Sequence, residues 1–161
     1  MAESEPDLTA PPPSRPEETL LVTRGVKRHL VQLGFAVVEE LPLASGRRAD
    51  VVGLSPSGDI WIVEVKSSVE DFRVDRKWPF YRLHSDRLFF ATSPRVPLDL
   101  FPEDCGLILA DAHGGEILRE APEHRLAAAA RKAMTLRFAR AAAVRLHLLS
   151  DPRVLGNVEV G

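Results

Sequence analysis

Asp50, Glu64 and Lys66 are the residues of this chain whose types and spacing can do chemistry. Glu64 and Lys66 stand two apart in Ile60-Trp61-Ile62-Val63-Glu64-Val65-Lys66, a run whose β-branched and aromatic residues read as a buried strand. Residues two apart on a strand share a face, so both charges point the same way. An unpaired ionised carboxylate in a core costs several kcal/mol or shifts its pKa, so Glu64 needs a cation or a metal as partner. Asp50 heads the preceding apolar run, Asp50-Val51-Val52-Gly53-Leu54, and the turn Ser55-Pro56-Ser57-Gly58-Asp59 separates the two. If the runs pair as a hairpin, Asp50 and Glu64 lie roughly opposite each other. Two carboxylates at neighbouring strand positions can share a small hard cation such as Mg²⁺, which also binds phosphate. Such an ion activates water, and a lysine on the same face stabilises charge building on a phosphate. Acid, acid and lysine are what phosphodiester hydrolysis needs. Glu-x-Lys alone carries little weight. A rival reading pairs Glu64 with Lys66 and lets Asp50 cap a turn, and the residues by themselves leave both readings open.

The elements that must position these residues follow from patterning. Residues 1–13 are polar and end in three prolines, which reads as an extended or disordered tail; residues 14–161 read as a single domain. Ser14 and Glu17 fit a capping box for a helix running to about Leu33, with Leu20, Val22, Val26, Leu30 and Leu33 as its apolar face and Gly34 as its stop. Strands are expected over Phe35–Leu41, Asp50–Leu54 and Ile60–Lys66, forming an antiparallel meander. Ser67-Ser68 can cap a short helical turn, and Asp75 a second helix through about His84. Further strands are expected over Arg87–Thr92, Gly106–Asp111 and Gly115–Arg119. An alanine-rich helix is expected from Pro122 to Leu149. The predicted class is α/β: a mixed β-sheet flanked by helices, with a long C-terminal helix.

Composition bounds the function. With 161 residues there is room for one substantial core, and the net charge of −2 argues against a broadly basic coat for nucleic acid while permitting a local basic groove. Cys105, the single cysteine, excludes an intrachain disulfide and reads as a small buried thiol rather than a nucleophile. No apolar run reaches the length of a membrane span, and the acidic N-terminus is unlike a signal peptide, so the expected location is cytoplasmic. The five histidines lack metal-like spacing, and no phosphate-cradling glycine loop, paired-cysteine zinc motif or nucleophile elbow is present.

The order helix, Asp50, hairpin, Glu64-Val65-Lys66, helix, strand resembles the PD-(D/E)XK nuclease superfamily, which includes restriction endonucleases and Holliday-junction resolvases. More narrowly, Arg47-Arg48-Ala49-Asp50-Val51, Val63-Glu64-Val65-Lys66-Ser67-Ser68, the stretch from Asp71 through Tyr81, and Asp86-Arg87-Leu88-Phe89-Phe90-Ala91 are similar to the MmcB-like DNA-repair proteins of bacteria. The resemblance covers roughly residues 17–120. It implies a restriction-endonuclease-like core, a role in DNA repair, Asp50 and Glu64 as ligands of Mg²⁺ or Mn²⁺, and Lys66 as the catalytic lysine. Ala49 stands where the superfamily motif has proline. Superfamily members often add a glutamate from the first helix; Glu18 is the candidate here and Glu40 its rival.

Other residues carry two readings each. Lys77 and Tyr81, four apart, share a helix face on which some superfamily nucleases place site residues; alternatively Tyr81 packs with Trp78 and Phe80 on the sheet. Arg47 and Arg48 can reach DNA backbone or sit in a solvated turn. Ser67 can touch a phosphate or cap a helix, and Asp71 and Asp75 read as helix caps. The arginines of the last helix read as snorkelling side chains before they read as a DNA surface. The expected function is therefore a DNA-repair endonuclease dependent on Mg²⁺ or Mn²⁺. Its partners would be DNA, other repair proteins and a second copy of the chain for cutting two strands. The rivals are a non-cleaving DNA-binding or adaptor module and, more weakly, a structural sheet protein with an internal salt bridge.

Overall fold

The computed structural model describes residues 15–74 and 78–152. The 1–13 tail, Ser14, Asp75 and Lys77 fall outside the described residues. Helix α1 (Arg15–Gln32) leads into strands β1 (Ala36–Pro42), β2 (Arg48–Leu54) and β3 (Ile60–Val65). A short helix α2 (Val69–Val74) and a 3-10 segment (Trp78–His84) then lead to β4 (Arg87–Thr92). Strands β5 (Gly106–Ala110) and β6 (Gly115–Arg119) and the long helix α3 (Ala128–Ser150) follow.

The six strands form one sheet in sequence order. β1, β2 and β3 are antiparallel neighbours, β3, β4 and β5 run parallel, and β6 returns antiparallel to β5. The mixed, helix-flanked sheet expected from the sequence is the observed architecture. Side-chain alternation divides the core into two layers. Val51, Val63, Phe89 and Ile108 pack with Val22, Val26 and Leu30 of α1. Ile60, Ile62, Leu88 and Phe90 face Tyr81 and the α3 residues Met134, Phe138 and Ala141.

Three expectations need correction. The buried stripe of α1 is Val22, Val26 and Leu30, whereas Leu20 and Leu33 are exposed, because position 20 lies on the opposite side of the helix from Val22 and Leu33 falls beyond its last residue, Gln32. Gly25 lies on the buried side: a Cβ there would stand 2.0 Å from the carbonyl oxygen of Asp111, so only glycine lets α1 approach the turn after β5. The short helical turn expected after Ser67-Ser68 is α2, capped by Ser68, whose Oγ accepts from Asp71 N–H at 3.1 Å, whereas the second helix expected through His84 is a 3-10 segment over Trp78–His84. Asp71 does not cap; its carboxylate accepts from Ser67.

The last helix starts at Ala128 rather than Pro122, and Asp86 is the reason. Its backbone oxygen accepts from His124 N–H and its carboxylate from Leu126 N–H and Ile60 N–H. Donors spent on Asp86 are not available to a helix ladder, so the strap before α3 stays extended. Arg131 completes the set with two contacts to the same carboxylate, at 2.6 and 2.8 Å. Burial alone would raise this carboxyl, but Arg131 and the two backbone donors outweigh it and hold the group below the usual aspartate range. Arg137 and Arg145 likewise donate to backbone oxygens of β1, which matches the reading of these arginines as packing residues.

Asp86 is 1 % exposed, so its removal orphans two backbone donors and an arginine together. Asp86→Ala is expected to lower unfolding stability by about 3–5 kcal/mol. Urea denaturation checks this, and a loss below about 1 kcal/mol, the range of a surface pair, would contradict it.

Candidate active site

Strands β2 and β3 are regularly paired from Leu54↔Ile60 to Val51↔Val63. One step further on, at Asp50 and Glu64, the backbone ladder gives way to side chains. Asp50 N–H donates to Glu64 Oε1 at 3.1 Å, and Val65 N–H donates to Asp50 Oδ2 at 2.8 Å. Each strand thus offers an amide to the carboxylate of the other, and both acids are held by main chain rather than by loops. The two carboxyl groups lie close enough to act on each other electrostatically. The convergence expected from the hairpin is present. The rival in which Asp50 merely caps a turn is not, since its acceptor role joins β2 to β3.

Glu64 is 3 % exposed. Burial, then the nearby Asp50 charge, push its carboxyl up to about 9, while the Asp50 amide and Lys66 pull the other way. Asp50 is also raised, by burial first, against the pull of Val65 N–H and Lys66, with Glu40 adding repulsion. Lys66, half-buried, is close enough to act on both acids. Its own backbone is fixed at the exit of β3: its N–H donates to Ala91 O at 2.9 Å and its carbonyl accepts from Thr92 Oγ1 at 2.7 Å.

The other sequence candidates distribute around this pair. Tyr81 is buried and donates to Arg48 O at 3.1 Å, so it braces the strand that carries Asp50. Arg48 pairs with Glu40 at 2.5 Å, and the Arg47 guanidinium stacks over Phe80 at 4.2 Å. Glu40 falls opposite Asp50 in the β1–β2 register and acts on it electrostatically. Glu18 goes elsewhere: it accepts from Ser93 Oγ and lies 3.8 Å from Arg95 Nε. Ser67 hydrogen-bonds Thr19 of α1 at 2.7 Å. Lys77 lies outside the described residues. Sequence reasoning missed Thr19, Ser93 and Arg95, which no local spacing connects to the Glu-x-Lys run. Cys105 is buried, with its thiol pushed up to about 11 by that burial, which fits a packing role.

A divalent ion fits Asp50 and Glu64 on electrostatic grounds. Burial raises both carboxyls and the neighbouring Asp50 raises Glu64 further, so a cation between them would favour their ionised forms. Mg²⁺ needs only one or two carboxylates and fills its remaining positions with water and substrate oxygen. Among the described residues no group of three or more acidic, histidine or cysteine side chains is arranged as a metal site, so these two carboxylates would be the protein's share.

Comparison with known proteins gives three findings. A model of the MmcB-like DNA repair proteins matches residues 7–153. A solved protein of unknown function from Silicibacter pomeroyi superposes with a TM-score of 0.85 at 46% identity, over 88% of this chain and 97% of its own. A repair endonuclease from Pyrococcus abyssi aligns with a TM-score of 0.31 at 19% identity, over 44% of this chain and 34% of its own, too slight a likeness to carry an argument. No curated protein matches the chain. No helix among the described residues is long and apolar enough to cross a membrane.

The raised Glu64 carboxyl makes a signed prediction for the metal-free protein. A group protonated more readily when folded stabilises the fold at low pH, and that contribution fades as pH climbs from the ordinary 4.5 to about 9. In the presence of a chelator the melting temperature is expected to fall over this range, and Glu64→Gln, which keeps the acceptor for Asp50 N–H, is expected to flatten the fall. Parallel pH profiles for the two proteins would contradict the assignment.

Proposed function

The chain belongs to the MmcB-like family of DNA repair proteins, and from that premise we propose that it is a metal-dependent endonuclease that hydrolyses DNA phosphodiester bonds. The observation that carries the reading is the reciprocal bonding of Asp50 and Glu64 across the end of the β2–β3 pair, with Lys66 beside them. In this reading Asp50 and Glu64 hold Mg²⁺ or Mn²⁺. A bound divalent ion would polarise a water and the scissile phosphate. Asp50 and Glu64 would hold the ion as carboxylates, and the amides of Asp50 and Val65 keep each of them aimed. The Lys66 ammonium sets the attacking water and offsets negative charge on the phosphate oxygens. The water oxygen bonds to phosphorus, the P–O ester bond breaks, the water proton passes to solvent and the departing oxygen is protonated.

Glu40 is the supporting acid this arrangement favours over Glu18, because its charge reaches Asp50 while Glu18 is engaged with Ser93 and Arg95. Tyr81 supports by bracing the Arg48 backbone. Arg47, Arg48 and Ser67 lie on the segments flanking the pair and are the proposed contacts to DNA backbone, joined in this proposal by Lys77. A second copy of the chain would supply the cut on a second strand.

The test is a cleavage assay over single-stranded, duplex and branched DNA with Mn²⁺, paired with calorimetric titration of the ion. Asp50→Ala is expected to abolish both cutting and the heat of Mn²⁺ binding. Lys66→Ala is expected to keep the heat and reduce cutting at least about 100-fold. Cutting by Lys66→Ala at the wild-type rate would refute the catalytic assignment, and DNA binding without cutting by the wild type would make the protein a DNA-binding module.

A further inference from the structure

We propose that Arg95 is a DNA backbone-phosphate contact held in readiness by the buried Glu18–Ser93 pair, placing bound DNA along the carboxyl ends of β3, β4 and β5. This rests on the DNA reading above and names where the strand runs. Ligands of parallel sheets collect outside the carboxyl ends of the strands. The β3–β4 register ends at Val65↔Ala91, so Lys66 and Ser67 leave β3 at the same end of the sheet at which Ser93 leaves β4. Thr92 bonds the Lys66 carbonyl, so the two exits are tied together. The first turns of α1 close over them: Thr19 bonds Ser67 and Glu18 bonds Ser93. The loop bearing Arg95 is therefore joined by two short hydrogen-bonded links to the loop bearing Lys66.

Glu18 is 8 % exposed, an unusual degree of burial for a carboxylate in the first turn of a helix. A surface ion pair needs no such burial. Here the acid sits in the floor of a cavity of about 160 Å³ between α1, the 93–95 loop and the turn after β5. It approaches Arg95 at Nε, 3.8 Å away, and the Arg95 side chain remains 50% exposed. A guanidinium engaged at Nε still has donors on both terminal nitrogens, in the planar fork that matches phosphate oxygens. The ion pair draws the guanidinium toward the α1 side of the loop without occupying those donors. Asp111, an exposed residue that also lines this cavity, is engaged by its own turn, its Oδ1 accepting from the His113 and Gly114 amides. Arg28 covers the same turn through the Ala112 and His113 carbonyls, adding a second cation to this rim.

The experiment is fluorescence anisotropy of a labelled oligonucleotide over a range of salt, with a chelator present so that no metal-dependent cutting consumes the probe. Each phosphate contact contributes about one unit to the slope of log K against log salt. Arg95→Ala is expected to weaken binding several-fold and reduce that slope by about 1, while Arg95→Lys keeps the slope. Glu18→Gln is expected to weaken binding with the slope unchanged, since the cation survives but loses its orientation. Binding strengthened in Glu18→Gln would show the acid acting only as a repelling charge and overturn its positioning role. Wild-type binding with an unaltered slope in Arg95→Ala overturns the Arg95 contact alone. Absence of DNA binding by the wild type overturns this inference and the DNA reading together. Thermal melts of the variants show whether the fold is intact, and Arg95→Lys decides the question if the alanine variant does not fold.

Discussion

Two amides and two carboxylates exchanged between β2 and β3 are the constraint on which the rest depends. A regular antiparallel pair would spend the Asp50 and Val65 N–H groups on backbone carbonyls. Here they are spent on side chains, so the two strands remain joined while their carboxylates are drawn into one place. Buried acids are ordinarily expensive, and this arrangement offsets part of that expense with main-chain donors that cannot move away. What it leaves unbalanced is charge. Burial raises both carboxyls even with Lys66 beside them, and a bound cation would favour their ionised forms, which is what links the fold to the proposed chemistry.

The second buried carboxylate of the sheet shows that burial alone does not create such a site. Asp86 is as enclosed as Glu64 and also accepts from backbone amides, yet its carboxyl is lowered while that of Glu64 is raised. The difference is the neighbour: Arg131 grips Asp86 with two contacts, whereas Glu64 faces Asp50. Asp86 is a satisfied joint, fastening β3, β4, the extended strap and α3 to one another. Glu64 is unsatisfied in its charge, and unsatisfied charge in a rigid setting is what an exogenous cation can complete.

Much of this was legible in the sequence because it is local. Period-two patterning and turn residues placed β4 and β6 at their observed limits, and the 55–59 turn put Asp50 opposite Glu64. Lys66 followed from its spacing on the same strand. What escaped depends on contacts between distant residues. Nothing near Leu20 says that it faces solvent while Val22 is buried; the approach of α1 to the sheet decides that. Nothing near Pro122 shows that the following amides are claimed by Asp86, thirty-odd residues earlier. Glu18 was legible as a candidate acid but not as the partner of Ser93, because the two meet only once α1 lies over the strand exits. Lys77 and Asp75 fall outside the described residues.

The irregularity at the site extends one strand further, into β1. Val38 and Leu41 both enter the layer under α3, although residues three apart on a regular strand face opposite ways. Glu40 between them resolves the conflict with a left-handed backbone, φ 53°, uncommon for a residue with a side chain. The register with β2 is the same on either side, from Glu39↔Val51 to Leu41↔Ala49, so no residue is inserted; the pleat itself turns over at the step opposite Asp50. Ala49 and Val52 share that same layer on β2, so the partner strand turns over across the same step. A local cost of this kind persists only where surrounding contacts impose it, and here Leu41 and Ala49 are pinned in the core while Arg48 holds the Glu40 side chain. Asp50 is thus released from strict alternation by a reversal written into two strands at once, which is how a residue between two core positions comes to direct its carboxylate at the next strand's backbone.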